Sequence, residues 1–369
     1  MAWPLDTPDC CPECFSHPWL QGFAREASTH KGTCPWCDSR RQPLVSVLSL
    51  YDAFDNLMGF YEYAVGKELD DSLSDSLIWM IQKDWNVFSE RLIEIDRYAT
   101  LFRAISESGW DDDSGETPWD PHALYHRTIG RWYHTTQAEA WDEFVDEVRK
   151  HPATPLAALP VLFDDELAQL ETALASNIVL HRARLGFCGT NEEPRPYEGT
   201  CMGAPPPDNA IAGRANRDKQ SVVYCAEEED TAVYEVRPSR GVYVSVAQLH
   251  GVHQLRIADL CRELPEPNPF VDEALNYGVE LRGLFIGLGN ALAAPMRRTD
   301  DESHYLPTQA LAERIQAAGY HGIRYPSAMC KGGHNIVIFE PAQINVEPGS
   351  RLVEIEDIDI TYGPPDLEG

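Results

Sequence analysis

Basic residues are scarce in this sequence. Lys and Arg contribute 30 of 369 residues, against 59 Asp and Glu, and the formal net charge is −29. Proteins that bind nucleic acids neutralise phosphates with a basic surface, so this charge argues against a nucleic-acid ligand. A few local arginines can still hold one pyrophosphate. The acidity otherwise fits a highly soluble surface or a basic partner protein.

Long apolar stretches are also missing. A membrane-spanning helix needs about 18 or more consecutive apolar residues, and the most apolar segment, 283–296, is shorter and contains Asn290. The first residues, MAWPLDTPDCC, lack the basic start and the apolar core of a secretory signal peptide. We therefore expect a cytoplasmic protein with no membrane partner.

The composition is that of a folded globular protein, with 43% apolar and 10% aromatic residues. A chain of 369 residues exceeds the usual length of one domain, roughly 100–200 residues. We expect two or three domains.

The N-terminal segment 1–43 contains two Cys-x-x-Cys pairs. Each pair can form a tight knuckle of two thiolates, and two knuckles supply the four ligands of a tetrahedral, structural zinc site. The sequence therefore predicts a zinc ribbon. Its ligands would be Cys11, Cys14, Cys34 and Cys37.

Other interpretations of this cysteine segment stay open. Cys10 could replace the neighbouring Cys11, and His17 and His30 are less suitable ligands in the same stretch. Two disulfides would be the alternative to a metal, but they require an oxidising compartment, which nothing else in the sequence indicates.

Residues 44–175 have the apolar periodicity of helices. One stripe follows Pro43 and continues to Val65, and a second begins near Ser74 and Asp75, which can cap a helix. Short connections between helices favour an antiparallel bundle. Further helices are predicted over 123–134, 137–150 and 163–176.

Short strands replace helices from residue 176 onward. One helix is predicted over 307–320, where Thr308 would cap its start and Gly319 would end it. The tail at 351–363 could add an edge strand. The fold class is therefore α+β. Strands are predicted at 178–187, 214–226, 241–249, 322–326 and 335–341.

Several polar residues stand out against these apolar runs. Glu235 lies inside an apolar segment, where a carboxylate is costly to bury unless a partner or a function compensates. An ordinary explanation would be a surface ion pair with Arg237. Arg182 and Arg184 are two residues apart and hence on one face of a strand.

Six short pieces of this region, in this order and with these gaps, resemble the RES domain, which is named for its arginine, glutamate and serine. The resemblance covers about residues 176–345 and implies a catalytic domain at 176–349, followed by a strand and tail at 350–369. It also implies enzymes that act on NAD, often toxins of toxin–antitoxin pairs, and a fold related to the ADP-ribosyltransferase toxins. The pieces are HRAR, GRAN, VVYCA, TAVYEV, GIRYPS and GGHNIVIF.

The resemblance implies roles for individual residues. Breaking the bond between nicotinamide and ribose places positive charge on the ribose, which Glu235 would stabilise. Arg182 and Arg214 match the positions that would bind the pyrophosphate, because arginine is a permanently charged, two-pronged donor. Arg184 is an alternative, since HRAR can be aligned on either arginine.

Three further residues complete the expected site. Ser327 would donate a hydrogen bond to ribose or nicotinamide, and no His/Asp arrangement that would make it a nucleophile is evident. Tyr224 would stack on a ring of NAD or donate to a phosphate, unless it is simply a core tyrosine. Asn335 would orient the substrate or Ser327.

The N-terminal region also resembles the HEPN-like helical bundles attached to some RES domains. HEPN ribonucleases carry an arginine and a histidine four to six residues apart. Arg25 and His30 match by chance in the cysteine segment, and Arg127 and His134 match loosely on a predicted helix. The acidic surface argues against RNA, so a scaffold, a dimerisation element or a sensor is the favoured role.

Three functions follow from these observations. The first is an NAD⁺-degrading glycohydrolase or phosphorylase that arrests growth as a toxin or defence effector. The second is an ADP-ribosyltransferase that modifies a protein, and the third is a non-enzymatic interaction protein. Expected partners are NAD⁺, structural Zn²⁺, a cognate antitoxin or regulator protein, and a second copy of the chain.

Overall fold

The computed structural model describes residues 8–64, 75–109, 119–128, 164–272, 275–294 and 302–358, with isolated positions between 141 and 150. The chain divides into two compact units. The N-terminal unit comprises Met1–Thr136 and Pro265–Glu280, and the C-terminal unit comprises Gln137–Leu264 and Leu281–Gly369.

Short helices dominate the described part of the N-terminal unit, which confirms the predicted helical region. The helices are α1 (Pro18–Glu26), α2 (Tyr51–Met58), α3 (Leu77–Trp85), α4 (Glu90–Glu94) and α5 (Tyr98–Ser108). Two small antiparallel sheets accompany them. One pairs β1 (His30–Gly32) with β2 (Gln42–Leu44), and the other has β5 (Leu124–Arg127) between β3 (Tyr61–Tyr63) and β4 (Asp75–Ser76).

One hydrophobic core holds this unit together. Phe54 is fully buried. The centroid of its ring lies 6.5 Å from that of Phe15 in the cysteine segment and 5.9 Å from that of Phe102 in α5. Phe270 joins the same core from the second segment of the unit. The cysteine segment and the helices after it therefore pack as one body, because neither buries enough apolar surface alone.

Some helix predictions for this unit are wrong. Residues 124–127 form strand β5 instead of the start of a helix, and the second apolar stripe begins its helix at Leu77, after strand β4. Helix α3 ends at Trp85 because Asn86 adopts a left-handed backbone with φ of 47°. The predicted helix at 137–150 lies mostly outside the described residues.

A nine-stranded mixed sheet forms the centre of the C-terminal unit. Its order is β15-β11-β7-β10-β14-β13-β12-β6, and β16 pairs with β11. Only β12 and β13 are parallel among these pairs. The strands are β6 (Glu171–Leu174), β7 (Leu180–Leu185), β10 (Val223–Ala226), β11 (Tyr243–Gly251), β12 (Leu255–Asp259), β13 (Gly322–Pro326), β14 (His334–Ile338), β15 (Ile344–Val346) and β16 (Arg351–Glu354); the short hairpin strands β8 (Cys188–Gly189) and β9 (Pro194–Arg195) lie apart from the sheet.

Side chains alternate between the two faces of this sheet. On one face Val337 and Ile323 pack with α6 (Asp164–Gln169), α8 (Leu275–Ala293) and α9 (Leu306–Ala317) in a single cluster. On the other face Ile336 and Val223 belong to a second cluster formed mainly by strands. A short helix, α7 (Glu229–Glu235), follows β10 and contacts β7.

The predicted strands of this unit are confirmed, and the tail adds edge strand β16. Three details differ. The strand predicted from 214 begins only at Val223, the helix predicted over 163–176 stops at Gln169 before β6, and the cap of α9 is Tyr305. Thr308 instead donates its hydroxyl to the Tyr305 carbonyl. Within the described residues no helix combines the length and apolar character needed to cross a bilayer.

Candidate active site

A cleft opens where two neighbouring strands of the sheet separate. Strand β10 pairs with β14 over four residues but pairs with β7 at a single position, Ala226 opposite His181. Beyond that pair the carbonyl of Tyr224 accepts a hydrogen bond at 2.9 Å from Nη1 of Arg182 instead of from the backbone of β7. A side chain thus satisfies the carbonyl that the separation of the strands leaves without a ladder partner.

The cleft continues into a cavity of about 430 Å³, within the usual size range of small-molecule sites. It combines several cationic and aromatic side chains with one carboxylate. The lining residues are His181, Arg182, Ala183, Gly213, Arg214, Tyr224, Cys225, Ala226, Ala232, Glu235, Val236, Arg237, Tyr305, Tyr325 and Asn335.

Glu235, the last residue of α7, is held from two sides. Its Oε1 accepts a hydrogen bond from Ser327 Oγ at 2.6 Å and another from Asn335 Nδ2 at 2.7 Å. These partners are 92 and 100 residues away in the chain. In the described part of the chain Glu235 forms no ion pair with Arg237, so the surface-pair explanation does not hold. The two hydrogen bonds to Oε1 fix the orientation of the carboxylate, and Oε2 takes part in neither of them.

The hydroxyl of Ser327 is fully engaged. It donates to Glu235 and accepts from the backbone N–H groups of Met329 and Cys330, both at 3.1 Å. A serine whose proton points at a carboxylate in this way orients that carboxylate. That Ser327 is no activated nucleophile stays a prediction.

Arg214 lies in a closely bonded loop, residues 211–220, which we call the arginine loop. Asn216 holds it together by donating to the carbonyls of Ile211, Arg217 and Gln220 at 2.9, 3.0 and 3.1 Å. The guanidinium of Arg214 donates to the carbonyl of Ala294. A rigid loop therefore positions this cation on the wall of the cavity.

Tyr224 connects the arginine loop to the sheet. Its hydroxyl donates to Asn216 Oδ1 at 2.9 Å and accepts from the N–H of Ala215 at 3.0 Å. Burial raises the pKa of Tyr224 to about 12. A Cβ on Gly213 would lie 2.7 Å from Asn216 Oδ1 and 2.9 Å from the Tyr224 hydroxyl, so only glycine fits there. The hydroxyl supports the loop, and the ring lines the cavity.

The two arginines of HRAR have different surroundings. Arg182 lines the cavity, and burial lowers its pKa from the ordinary arginine value. Arg184 is exposed and donates a hydrogen bond to the carbonyl of Cys201. Its guanidinium carbon lies 4.9 Å from the centroid of the Tyr197 ring. Arg184 is not among the residues that line the cavity. The structure thus brings Arg182 to the cleft and leaves Arg184 outside it.

Comparison with protein families agrees with this arrangement. The RES domain family model matches residues 179–358, and every residue that lines the cavity lies within this range. Residues 179–358 form a RES domain. A comparison with curated proteins returned no match.

Among solved structures, the M. tuberculosis MbcT–MbcA toxin–antitoxin complex is similar to this chain. The match has 15% sequence identity and a TM-score of 0.30, and it covers 52% of this chain and 90% of that chain. A TM-score this low does not establish a shared fold.

The cavity of the RES domain also contains residues that the sequence analysis did not select. His181 and Tyr325 line it from β7 and β13, Tyr305 lines it from the short 3-10 helix before α9, and Arg237 lines it from the turn after α7. Burial raises the pKa of Tyr325 well above its ordinary value. His181 belongs to the motif HRAR and Tyr325 to the motif GIRYP. A single sequence does not show which way their side chains point once the strands are paired.

An ionic network braces the strands of the RES domain behind the site. Arg324 of β13 donates to both oxygens of Glu227 at 2.9 and 2.8 Å and to both oxygens of Asp259 at 3.1 Å. It also contacts His334 Nδ1 at 3.0 Å. Because these residues end or begin β10, β12 and β14, the network fixes the strand ends next to Ser327 and Asn335.

Four buried cysteines cluster in the N-terminal unit. The Sγ atoms of Cys11 and Cys37 are 3.4 Å apart, those of Cys14 and Cys34 are 3.5 Å apart, and all four lie within 4.8 Å of one another. Sulfur ligands of a tetrahedral zinc, with Zn–S bonds of about 2.3 Å, lie roughly 3.8 Å apart. The donor set and its spacing therefore fit zinc.

The composition of this cluster favours one of the alternative ligand sets. Cys11 and not Cys10 belongs to it, and neither His17 nor His30 does. Burial raises the pKa of the Cys10 thiol well above its ordinary value. All ten cysteines lie in the described residues, and none of them forms a disulfide.

Arg127 of the N-terminal unit has a structural environment. Its guanidinium forms a two-pronged pair with Asp84, with donor–acceptor distances of 2.8 and 2.5 Å, and Asp84 also accepts from the hydroxyl of Tyr61. His134, the other half of the HEPN-like pair, lies outside the described residues. An arginine paired in this way on a strand gives no support to a nuclease site.

Proposed function

We propose that the RES domain cleaves NAD⁺ at the bond between nicotinamide and ribose C1′. The observation that carries this proposal is the carboxylate of Glu235, held by Ser327 and Asn335 on the wall of a cavity that also contains Arg182 and Arg214. The resemblance to RES domains supplies NAD⁺ as the substrate.

Glu235 would stabilise the positive charge that develops on the ribose as the bond breaks. Two donors converge on Oε1, so the carboxylate needs no reorganisation at the moment of reaction. Oε2 is then the oxygen that faces a ribose hydroxyl or the developing cation. Ser327 and Asn335 act in this scheme by positioning Glu235.

The cations of the cavity suit the pyrophosphate. Arg214 is carried by the arginine loop and makes one hydrogen bond within the described residues, to a backbone carbonyl. Its other N–H groups can then donate to phosphate oxygens. Arg182 is more deeply buried and already donates to the Tyr224 carbonyl. We therefore assign the main pyrophosphate contact to Arg214 and an auxiliary one to Arg182.

We propose that a small molecule, water or inorganic phosphate, accepts the ADP-ribose. NAD⁺ would be depleted and growth would stop, so the protein would act as a toxin or defence effector held in check by a protein partner. Zn²⁺ would have a structural role, because four cysteine ligands leave no open position for substrate on the metal.

Incubation of the purified protein with NAD⁺, with and without phosphate, tests this function. We expect nicotinamide together with ADP-ribose or its phosphorylated form, identified by mass spectrometry. Expression in a growing host should lower cellular NAD⁺ and arrest growth. Toxicity without loss of NAD⁺ would contradict the proposal and indicate transfer of ADP-ribose to a protein.

A further inference from the structure

A row of facing residues crosses the floor of the cavity. Asn335 of β14 lies opposite Ala226 of β10, and Ala226 lies opposite His181 of β7. Directly opposed residues of antiparallel strands project to the same face of a sheet. His181 and Asn335 are therefore on one face, two strand spacings or about 10 Å apart, with only a methyl group between them.

This row places the imidazole of His181 across the cavity from the Glu235 carboxylate, which accepts a hydrogen bond from Asn335. His181, Ala226 and Glu235 all line the cavity. In glycoside hydrolases that use a water directly, the two catalytic groups lie about 6.5–9.5 Å apart, which leaves room for that water. The gap above Ala226, about 10 Å between the strands that carry His181 and Asn335, is where we place that water.

The surroundings of His181 leave one ring nitrogen for the cavity. Its Nδ1 is buried and has no hydrogen-bond partner among the described residues, and the Glu229 carboxylate of α7 lies 3.9 Å from it. Glu229 is itself paired with Arg351 of β16, and the residue opposite on β11 is Gln248. The side chain is 15% exposed, so Nε2 is the polar atom of the ring that remains for a molecule in the cavity.

We propose that His181 is the general base that activates water as the acceptor in the cleavage of NAD⁺. This inference rests on the proposed function and adds the acceptor and the residue that takes its proton. As the C1′–N bond breaks, its electron pair leaves with nicotinamide, which departs neutral. The water oxygen bonds to C1′ and gives one proton to Nε2 of His181, which later releases it to solvent. The products are ADP-ribose, nicotinamide and one proton.

The test compares water with azide, an anionic nucleophile that has no proton to lose. His181→Gln removes the base and should lower hydrolysis about 10²-fold, a typical contribution of general base catalysis. Azide should still react, so the ratio of ADP-ribosyl azide to ADP-ribose, measured by mass spectrometry, should rise by a similar factor. This product ratio does not depend on how much of the variant is folded.

His250→Gln is the matched control. His250 lies on the adjacent strand β11 and contacts Glu347 at 2.8 Å through Nδ1, but it does not line the cavity. Its product ratio should equal that of the parent. His181→Asn gives a second measurement if His181→Gln yields too little protein.

Two outcomes overturn the inference. An unchanged product ratio in both His181 variants would show that this residue does not act on water. A rise of the same size in His250→Gln would show a general disturbance of the sheet. Neither outcome affects the proposed function, which fails separately if the parent releases no nicotinamide from NAD⁺.

Discussion

Replacement of Glu235 by glutamine removes the negative charge of this side chain but keeps its shape. The amide oxygen of glutamine can still accept the hydrogen bonds that Ser327 and Asn335 donate at 2.6 and 2.7 Å. The cavity should therefore keep its form while the negative charge is lost. We expect binding of NAD⁺ to change little and cleavage to slow strongly, because the charge matters most when the ribose becomes cationic.

Coulomb's law gives the size of the effect. Two unit charges about 5 Å apart, at an effective dielectric constant of about 20, interact by roughly 3 kcal/mol. Each 1.36 kcal/mol is a tenfold change in rate, so cleavage should slow about 10²-fold. This agrees with the loss of about 10²–10³ that follows removal of a single electrostatic stabiliser of a transition state. Glu235→Ala should lose at least as much.

The assay is nicotinamide release over time by purified parent and variants, with thermal unfolding as the check on folding. Glu340→Gln is the control, since Glu340 is exposed and does not line the cavity. A folded Glu235→Gln or Glu235→Ala protein that releases nicotinamide at the parent rate would refute the electrostatic role of Glu235. The alanine variant should also be harmless when expressed in a growing host.

Four further predictions concern other parts of the molecule. Arg214→Ala should weaken NAD⁺ binding in titration calorimetry, and Arg214→Lys should restore it only in part, because an ammonium cannot make a two-pronged contact; full recovery with lysine would contradict this. Gly213→Ala should raise the KM for NAD⁺, since the added Cβ would lie 2.7 Å from Asn216 Oδ1 and displace the arginine loop, and an unchanged KM would count against that role of the loop. Metal analysis should find one zinc per chain, and a metal-free parent whose cysteines are not oxidised would refute the zinc site. Cys34→Ser should lower the unfolding temperature while NAD⁺ cleavage persists in part. Light scattering at micromolar concentration should show at least a dimer, and a strict monomer would exclude the expected self-association.

The sequence was sufficient for features that depend on local pattern. Alternation of residues between two faces predicted β7 and β11, because successive side chains of a strand point to opposite faces. The spacing of the cysteine pairs predicted the cluster of four thiols, since each knuckle closes within four residues. The resemblance to RES domains directed attention to Glu235, Ser327 and Asn335, which the structure joins by hydrogen bonds.

Tertiary structure decided what depends on pairing between distant segments. The separation of β7 from β10 after one residue pair opens the cleft, and the register of that pair directs His181 into the cavity and leaves Arg184 outside it. The strand at Leu124–Arg127 formed, despite a helical pattern, because β3 and β4 pair with it on both sides. Local periodicity fixes which residues share a face of an element. It does not fix where a ladder of hydrogen bonds between remote strands stops, and the site lies at such an end.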